Sequence, residues 1–289
     1  MTLFKHLLGV FASRPSQVGD GFHIRRGLPL PGQDHLGPFL LLDYAGPTYY
    51  PPTGRPRGVD EHPHRGFETV PLVFQGQLEH RDSTGSSGTI GPGDVQWMTA
   101  AAGLVHEEKH EREFARRGGT LEMVQLWVNL PTKDKMAAPG YQTLLHAQIP
   151  TLPLPHGAGT LRIVAGEYGG QRGPAHTFTA LNVFDMHLRA EAELVLPVPE
   201  GHPAGLFLRR GQVLLNHTTP ATEAQLAVFG PAGTSIHLRA EQDTDLLVLS
   251  GEPINEALFS YGPFVMNSET ELVQAVEDYQ NGKMGHLTR

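Results

Sequence analysis

Hydrophobic residues along the chain occur mainly in short runs that glycine, proline, aspartate or asparagine separate, a pattern typical of β-strands. Helical periodicity is clear at 269–281, where apolar residues recur every three or four positions. Ser268 precedes this segment as an N-cap, Glu271 follows as in a capping box, and Gly282 supplies the stop. The predicted strands are Phe39–Leu42, Thr69–Phe74, Leu121–Leu130, Thr160–Ala165, Leu206–Leu208, Val213–Leu215 and Asp245–Leu249. The chain is therefore predicted to be mainly β.

A weak internal repeat divides the chain into two similar halves. Residues 74–78 resemble residues 209–213, and a glycine-containing turn follows at a similar distance in each half. Two copies of a small antiparallel β-barrel or jelly roll explain this repeat. We predict one barrel at 1–138 and a second at 139–289, the second including a short C-terminal helix. The proline-rich stretch 131–159 is expected to connect the halves.

Composition narrows the chemistry that the chain can perform. Its 289 residues include 16 His and no Cys, which excludes disulfides, thiolate metal sites and cysteine nucleophiles. Any metal must then be held by histidines and carboxylates. The net charge of −8 gives no support for direct nucleic-acid binding, which needs clustered Lys and Arg. No run of 18 apolar residues is present, so no membrane contact and a cytoplasmic location are expected.

Two pairs of alternate residues carry the strongest chemical signal. His62 and His64 lie two positions apart, as do His106 and Glu108. Alternate residues of a strand point to the same face, so each pair offers two converging donor groups. On neighbouring strands they would supply three neutral imidazoles and one carboxylate, a set that suits Fe(II), Mn(II), Ni(II), Cu(II) or Zn(II). This set would leave a net positive charge that attracts an anionic substrate.

Nearby residues carry weaker signals. Glu68 has the parity of the first histidine pair, which allows a fifth ligand but favours an acid outside the ligand set. His80 and His110 are interpreted as surface residues or as residues behind the ligands. Trp97 is interpreted as a core residue, with a pocket wall as its alternative. The second half has no His-x-His pair, so only the first barrel is predicted to hold a metal.

Five stretches resemble the pirin family of the cupin superfamily, in the family's order and spacing. They cover nearly the whole chain and are His62–Thr69, Pro92–Ala100, Gly103–Glu108, Gln125–Leu130 and Gly262–Asn267. The resemblance implies a bicupin of two stacked β-barrels, with one metal, usually iron, in the N-terminal barrel. By position, it implies His62, His64, His106 and Glu108 as the metal ligands.

The same resemblance implies two possible roles. Some members resemble quercetin 2,3-dioxygenases, which open the ring of a flavonol with dioxygen and release carbon monoxide. A ligand glutamate takes the proton of the flavonol 3-hydroxyl in such enzymes, which implies Glu108 as the catalytic base. An animal member is described as an iron-dependent transcription co-regulator, so a non-catalytic redox sensor with a protein partner is the alternative. A zinc-dependent isomerase or hydrolase is a third hypothesis. A flat aromatic substrate leads us to expect an apolar pocket.

Overall fold

The computed structural model describes residues 3–20 and 22–287. In chain order the strands are β1 (Leu7–Ala12), β2 (Arg14–Val18), β3 (Phe22–Leu28), β4 (Phe39–Tyr50), β5 (Gly58–His64), β6 (Phe67–Gln75), β7 (Leu78–Asp82), β8 (Ser87–Ile90), β9 (Val95–Thr99), β10 (Leu104–His110), β11 (Gly119–Asn129), β12 (Gly140–Leu144), β13 (Thr151–Pro153), β14 (Gly159–Ala165), β15 (Glu167–Tyr168), β16 (Gln171–Arg172), β17 (Leu181–Leu188), β18 (Glu193–Pro197), β19 (Ala204–Arg210), β20 (Gln212–Leu215), β21 (Thr219–Thr222), β22 (Gln225–Phe229), β23 (Ser235–Ala240), β24 (Thr244–Gly251), β25 (Phe259–Tyr261) and β26 (Phe264–Met266). The α-helices are α1 (Arg112–Arg117) and α2 (Glu269–Gln280), and short 3₁₀ turns occur at Thr132–Asp134, His146–Gln148 and Pro155–Gly157. The prediction of an all-β chain with a short C-terminal helix is confirmed. Within the described ranges, neither α-helix has the length and hydrophobicity needed to span a membrane.

The chain folds into two compact units. The N-terminal unit comprises the described residues within 15–24, 43–146 and 254–289. Its larger sheet has the strand order β12-β9-β6-β11-β4-β3-β2, and its smaller sheet has the order β5-β10-β7-β8. Paired neighbours run antiparallel, as in the register of β6 against β11 and of β5 against β10. These antiparallel sheets match the predicted jelly-roll type of barrel.

The C-terminal unit comprises the described residues within 1–14, 25–42 and 147–253. It repeats the same plan, with a seven-stranded sheet β1-β22-β19-β24-β17-β14-β13 and a four-stranded sheet β18-β23-β20-β21. The equivalent turns after β6 and β19 both contain a glycine with positive φ, Gly76 at +83° and Gly211 at +91°. Side chains with a Cβ rarely adopt this conformation, so the glycines of the sequence repeat mark the same turn in both units.

The terminal segments differ from the division that the sequence predicts. The N-terminal strand β1 groups with the C-terminal unit, because it pairs along its length with β22. Residues of the segment 254–289, including α2, group with the N-terminal unit. The change of unit falls after His146 rather than at residue 138, because β12 pairs with β9.

An apolar cluster and an ion pair hold helix α2 to the N-terminal unit. Its N-cap is Ser268, as predicted. Ala275 is fully buried in a cluster with Val105 and other apolar residues. The Arg65 guanidinium donates to Asp278 at 2.9 Å and to the Ala102 carbonyl oxygen at 2.7 Å. Hydrogen bonds from Lys283 and Arg65 lower the pKa of Asp278 to about 2.

We expect Asp278→Asn to destabilise the N-terminal unit by about 2 kcal/mol, because it leaves the buried Arg65 without its counter-charge. The folded pKa of Asp278 lies below its usual 3.8, so the wild-type ion pair stabilises above about pH 4 and weakens as the pH falls towards 2. Urea unfolding followed by tryptophan fluorescence measures this effect, since Trp97 and Trp127 are both in that unit.

Glu113→Gln is the matched control. It removes the charge from an exposed i, i+3 pair with Arg116, and it should change the free energy of unfolding by less than about 0.5 kcal/mol. Equal effects of the two substitutions would show that the Arg65–Asp278 pair does not anchor the helix.

Candidate metal centre

Strand β10 lies between β5 and β7 and brings the predicted ligands together. Its residue His106 is directly opposite His62 on β5, and an irregularity in the pairing follows before Glu108. On the other side, His106 is opposite Asp82 and Glu108 is opposite His80 on β7. Because alternate residues share a face, these side chains all lie on one face of the small sheet, which we call the site face.

The imidazole nitrogens on the site face are close to one another. Nε2 of His62 lies 3.1 Å from Nε2 of His64 and 2.9 Å from Nε2 of His106. Glu108 joins the group through His106, since ligand atoms of His80, His106 and Glu108 lie within 4.8 Å of one another. The structure therefore gathers His62, His64 and His106 in one cluster, and it places Glu108 in a second cluster that shares His106.

Backbone carbonyls fix the protonation of two of these histidines. A carbonyl oxygen accepts a hydrogen bond and cannot donate one, so the proton sits on the nitrogen that faces it. His62 Nδ1–H donates to the Asp60 carbonyl at 2.8 Å, and His64 Nδ1–H donates to the Pro263 carbonyl at 3.4 Å. In a neutral imidazole, Nε2 is then left with a lone pair. Both lone pairs face the centre of the group.

Burial keeps these imidazoles neutral. It lowers the pKa of His62 and, more strongly, the pKa of His64 and His106. Neighbouring histidines lower the pKa of His64 and His106 further. Neutral imidazole is the form that binds a metal, so the site offers ligands without first losing protons.

The carboxylate of Glu108 is held at one oxygen and free at the other. Burial raises its pKa, which a hydrogen bond from the Gln125 side chain partly offsets. Oε1 is enclosed and has no hydrogen-bond partner among the described residues, so the bond from Gln125 goes to the other oxygen. An enclosed carboxylate oxygen without a partner is costly unless a cation or a proton donor meets it.

These features fit a divalent transition metal. Two Nε2 lone pairs 3.1 Å apart, with no proton to share, repel each other unless a cation lies between them. Imidazole nitrogens bind such metals at 2.0–2.1 Å, so two at right angles around one ion lie about 3 Å apart. The observed separations of 2.9 and 3.1 Å agree with this spacing.

Glu68 does not lie with the proposed ligands. Its neighbour Thr69 is opposite Trp127, whose ring centroid lies 5.4 Å from that of His64. Glu68 therefore points to the other face of β6, where Oε1 accepts from Thr99 at 2.7 Å. Burial raises its pKa to about 7. Alternation along a single strand would have placed Glu68 on the same face as His62 and His64. It does not apply because Gly66, with φ of +88°, turns the chain between β5 and β6.

The structure places His80, His110 and Trp97 in different surroundings. His80 lies behind His106, with the two Nδ1 atoms 3.4 Å apart. His110 is a core residue instead, 1% exposed and packed edge-on against Tyr50, and burial lowers its pKa to about 4. Trp97 is buried, and β-strand alternation places it on the face opposite to Met98.

Sequence reasoning missed several residues beside the site. Asp82 follows His80 with the same two-residue spacing as the ligand pairs, a signal that could have revealed it. Register places Thr69, Met98 and Trp127 on one face of the large sheet, and alternation adds Gln96 and Gln125. We call this face the facing wall, since Trp127 contacts His64 and Gln125 bonds to Glu108.

Comparison with known proteins agrees with this architecture. The pirin family model matches residues 21–128, and the model of the pirin C-terminal cupin domain matches residues 183–285. A Pseudomonas aeruginosa protein named "putative quercetin 2,3-dioxygenase" is 52% identical over 282 residues, which are 96% of this chain and 98% of that protein. The crystal structure of quercetin 2,3-dioxygenase from Acinetobacter baumannii superposes with a TM-score of 0.95 at 44% identity, covering 99% of this chain and all of that one.

A more distant relative also matches over nearly its whole length. Human pirin is 35% identical over 280 residues, which are 94% of this chain and 91% of that protein. Two cupin units, of which the N-terminal one contains the cluster of His62, His64 and His106, define a bicupin. The chain belongs to the pirin family.

We expect alanine at His62, His64 or His106 to lower the affinity for a divalent transition metal by at least about 100-fold, because each removes one converging lone pair. Metal content of the purified proteins by mass spectrometry, followed by calorimetric titration, measures this loss. His187→Ala is the control, since His187 pairs with Asp245 in the C-terminal unit. Full metal content in any of the three variants would exclude that histidine from the ligand set.

Proposed function

We propose that this protein is a metal-dependent dioxygenase that opens the ring of flavonols such as quercetin. His62, His64, His106 and Glu108 would hold the metal. The observation that carries this proposal is the convergence of histidine lone pairs next to an enclosed carboxylate oxygen. The relatives named after quercetin dioxygenase supply the reaction class and the substrate.

The metal is proposed to be Fe(II), with Cu, Ni, Mn or Zn as other ions that this donor set accepts. When bound, it would supply a Lewis acid that lowers the pKa of a coordinated hydroxyl and a redox-active centre for reaction with dioxygen. With one negatively charged ligand, the filled site keeps a positive charge that favours a substrate anion.

Glu108 is proposed to take the proton of the flavonol 3-hydroxyl. Oε1 has no other described group to bond, and the Gln125 amide fixes the second oxygen so that the carboxylate keeps its orientation. A base held in place in this way removes a proton without first reorganising.

The facing wall supports a flat aromatic substrate that carries hydroxyl groups. Phe67 and Trp127 pack with ring centroids 4.4 Å apart, and their centroids lie 5.0 and 5.4 Å from that of His64. The wall differs from the apolar pocket that the sequence suggests. Thr69 Oγ1, Gln96 Nε2 and Gln125 Oε1 are buried there without described hydrogen-bond partners. Phenolic hydroxyls could donate to and accept from such groups.

We further propose that the protein works in the cytoplasm on a small aromatic substrate and dioxygen. Its net charge of −8 disfavours direct binding to nucleic acid. The alternative is a non-catalytic, iron-binding redox sensor or transcription co-regulator that acts through a protein partner. The two differ in one measurable property, turnover of a flavonol.

We expect iron-loaded protein to consume oxygen and release carbon monoxide when quercetin is added. Glu108→Gln keeps the shape of the side chain but cannot take the proton, so it should lower kcat by about 100-fold or more. An oxygen electrode and gas analysis measure both quantities, with nickel- and copper-loaded protein tested in parallel.

His62→Ala is the control for free metal in solution. Oxygen consumption at the level of this variant, with metal bound to the wild type, would overturn the dioxygenase and favour the non-catalytic sensor. Undiminished turnover by Glu108→Gln would remove Glu108 from the role of base while leaving the dioxygenase intact.

A further inference from the structure

Behind the proposed ligands lies a chain of hydrogen-bonding side chains that the proposed function does not use. His80 Nε2 lies 3.1 Å from Asp82 Oδ2, and His80 Nδ1 lies 3.4 Å from His106 Nδ1. His80 and Asp82 are 2% and 5% exposed, so water does not compete freely for these bonds. The His80 ring is also held by stacking on Tyr141, with centroids 4.9 Å apart.

The order of partners along this chain suits one placement of the protons. The Asp82 carboxylate can only accept, so His80 Nε2 donates to it. A His106 that ligates a metal through Nε2 carries its proton on Nδ1, and His80 Nδ1 at 3.4 Å is the group that can accept it. In this arrangement Nε2 of His106, which lies 2.9 Å from Nε2 of His62, keeps its lone pair.

The other tautomer of His106 would give a different site. With its proton on Nε2, His106 would donate to the lone pair of His62 across the same 2.9 Å. That hydrogen bond would use up two of the three lone pairs that a metal needs. The tautomer of His106 therefore decides between a metal-binding site and a closed pair of histidines.

Asp82 is itself fixed by the turn that follows β7. Its Oδ1 accepts from the backbone N–H of Thr84, the hydroxyl of Thr84 and the backbone N–H of Ser86, at 2.8, 2.6 and 3.2 Å. These three donors hold Oδ1 away from His80 and leave Oδ2 as the only carboxylate oxygen that faces it.

We propose that Asp82 and His80 are positioning residues that hold His106 in the tautomer with a free Nε2 and so keep the metal site open. The proposal rests on the metal centre assigned under the proposed function. His62 and His64 are set by backbone carbonyls, so His106 is the histidine of the set whose tautomer depends on other side chains. Residues that orient a ligand in this way commonly control metal affinity and ligand tautomer.

Asp82→Asn tests this mechanism without changing the shape of the side chain. The donors of Thr84 and Ser86 still require an oxygen at the position of Oδ1, so the amide NH₂ must face His80. That NH₂ donates to His80 Nε2, moves the His80 proton to Nδ1 and leaves His106 Nδ1 as an acceptor. His106 then carries its proton on Nε2. A comparable Asp→Asn change in serine proteases also acts through the wrong histidine tautomer.

Two measurements compare the wild type with Asp82→Asn. Long-range ¹H–¹⁵N NMR of histidine-labelled, metal-free protein should show His106 protonated on Nδ1 in the wild type and on Nε2 in the variant. Calorimetric titration with Zn(II), which has no redox chemistry, should show an affinity lower by about 10- to 100-fold in the variant.

Asp94→Asn is the matched control. Asp94 also accepts backbone N–H groups at a turn of the same unit, those of Gly91 and His146, and no described hydrogen bond joins it to His80 or His106. It should leave Zn(II) affinity and the His106 tautomer unchanged. His80→Phe removes the acceptor of His106 while keeping the stack on Tyr141, and it should yield a mixture of His106 tautomers and weaker binding.

Each outcome has a distinct meaning. Equal Zn(II) affinity of wild type and Asp82→Asn, or a wild-type His106 already protonated on Nε2, would overturn the positioning role. Loss of binding in His80→Phe but not in Asp82→Asn would overturn it too and make His80 itself a ligand. A wild-type protein that binds no metal would instead refute the proposed metal centre, and the NMR spectra would still report whether Asp82 sets the tautomer.

Discussion

The architecture of the site depends on the register of β10 between β5 and β7. This register places His106 opposite His62 on one side and opposite Asp82 on the other. Glu107 and Lys109 alternate with the site residues and form an ion pair on the opposite face of the sheet. A slip of one residue would bury these charges and expose the histidines, at the cost of desolvating both charges. The ion pair on one face thus protects the arrangement of donors on the other.

Strand periodicity predicted which residues would converge, because period two holds along any continuous strand. It brought His62, His64, His106 and Glu108 to one face, and it failed for Glu68 because Gly66 interrupts the strand. Asp82 and Gln125 escaped prediction for another reason. Their importance comes from contacts between strands, and a single sequence does not reveal which strands are neighbours.

The prediction of the fold from the sequence was limited in the same way. The glycine turns at Gly76 and Gly211 predicted two similar β units from local chain geometry. The placement of the termini depends on which surface each segment covers. The run Leu7–Ala12 predicts a strand equally well in either unit, and its pairing with β22 is a tertiary choice. Helix α2 buries only a narrow stripe that includes Ala275, so its pattern does not identify its partner.

The carbonyl of Pro263 has a consequence for how the protein is made. It fixes the tautomer of His64 from 199 residues further along the chain. During synthesis, the histidine strands therefore leave the ribosome long before this acceptor exists outside it. A nascent chain can pair β5 with β10 before Pro263 is available, so we expect the tautomer of His64 to be set only once the segment that carries Pro263 has docked.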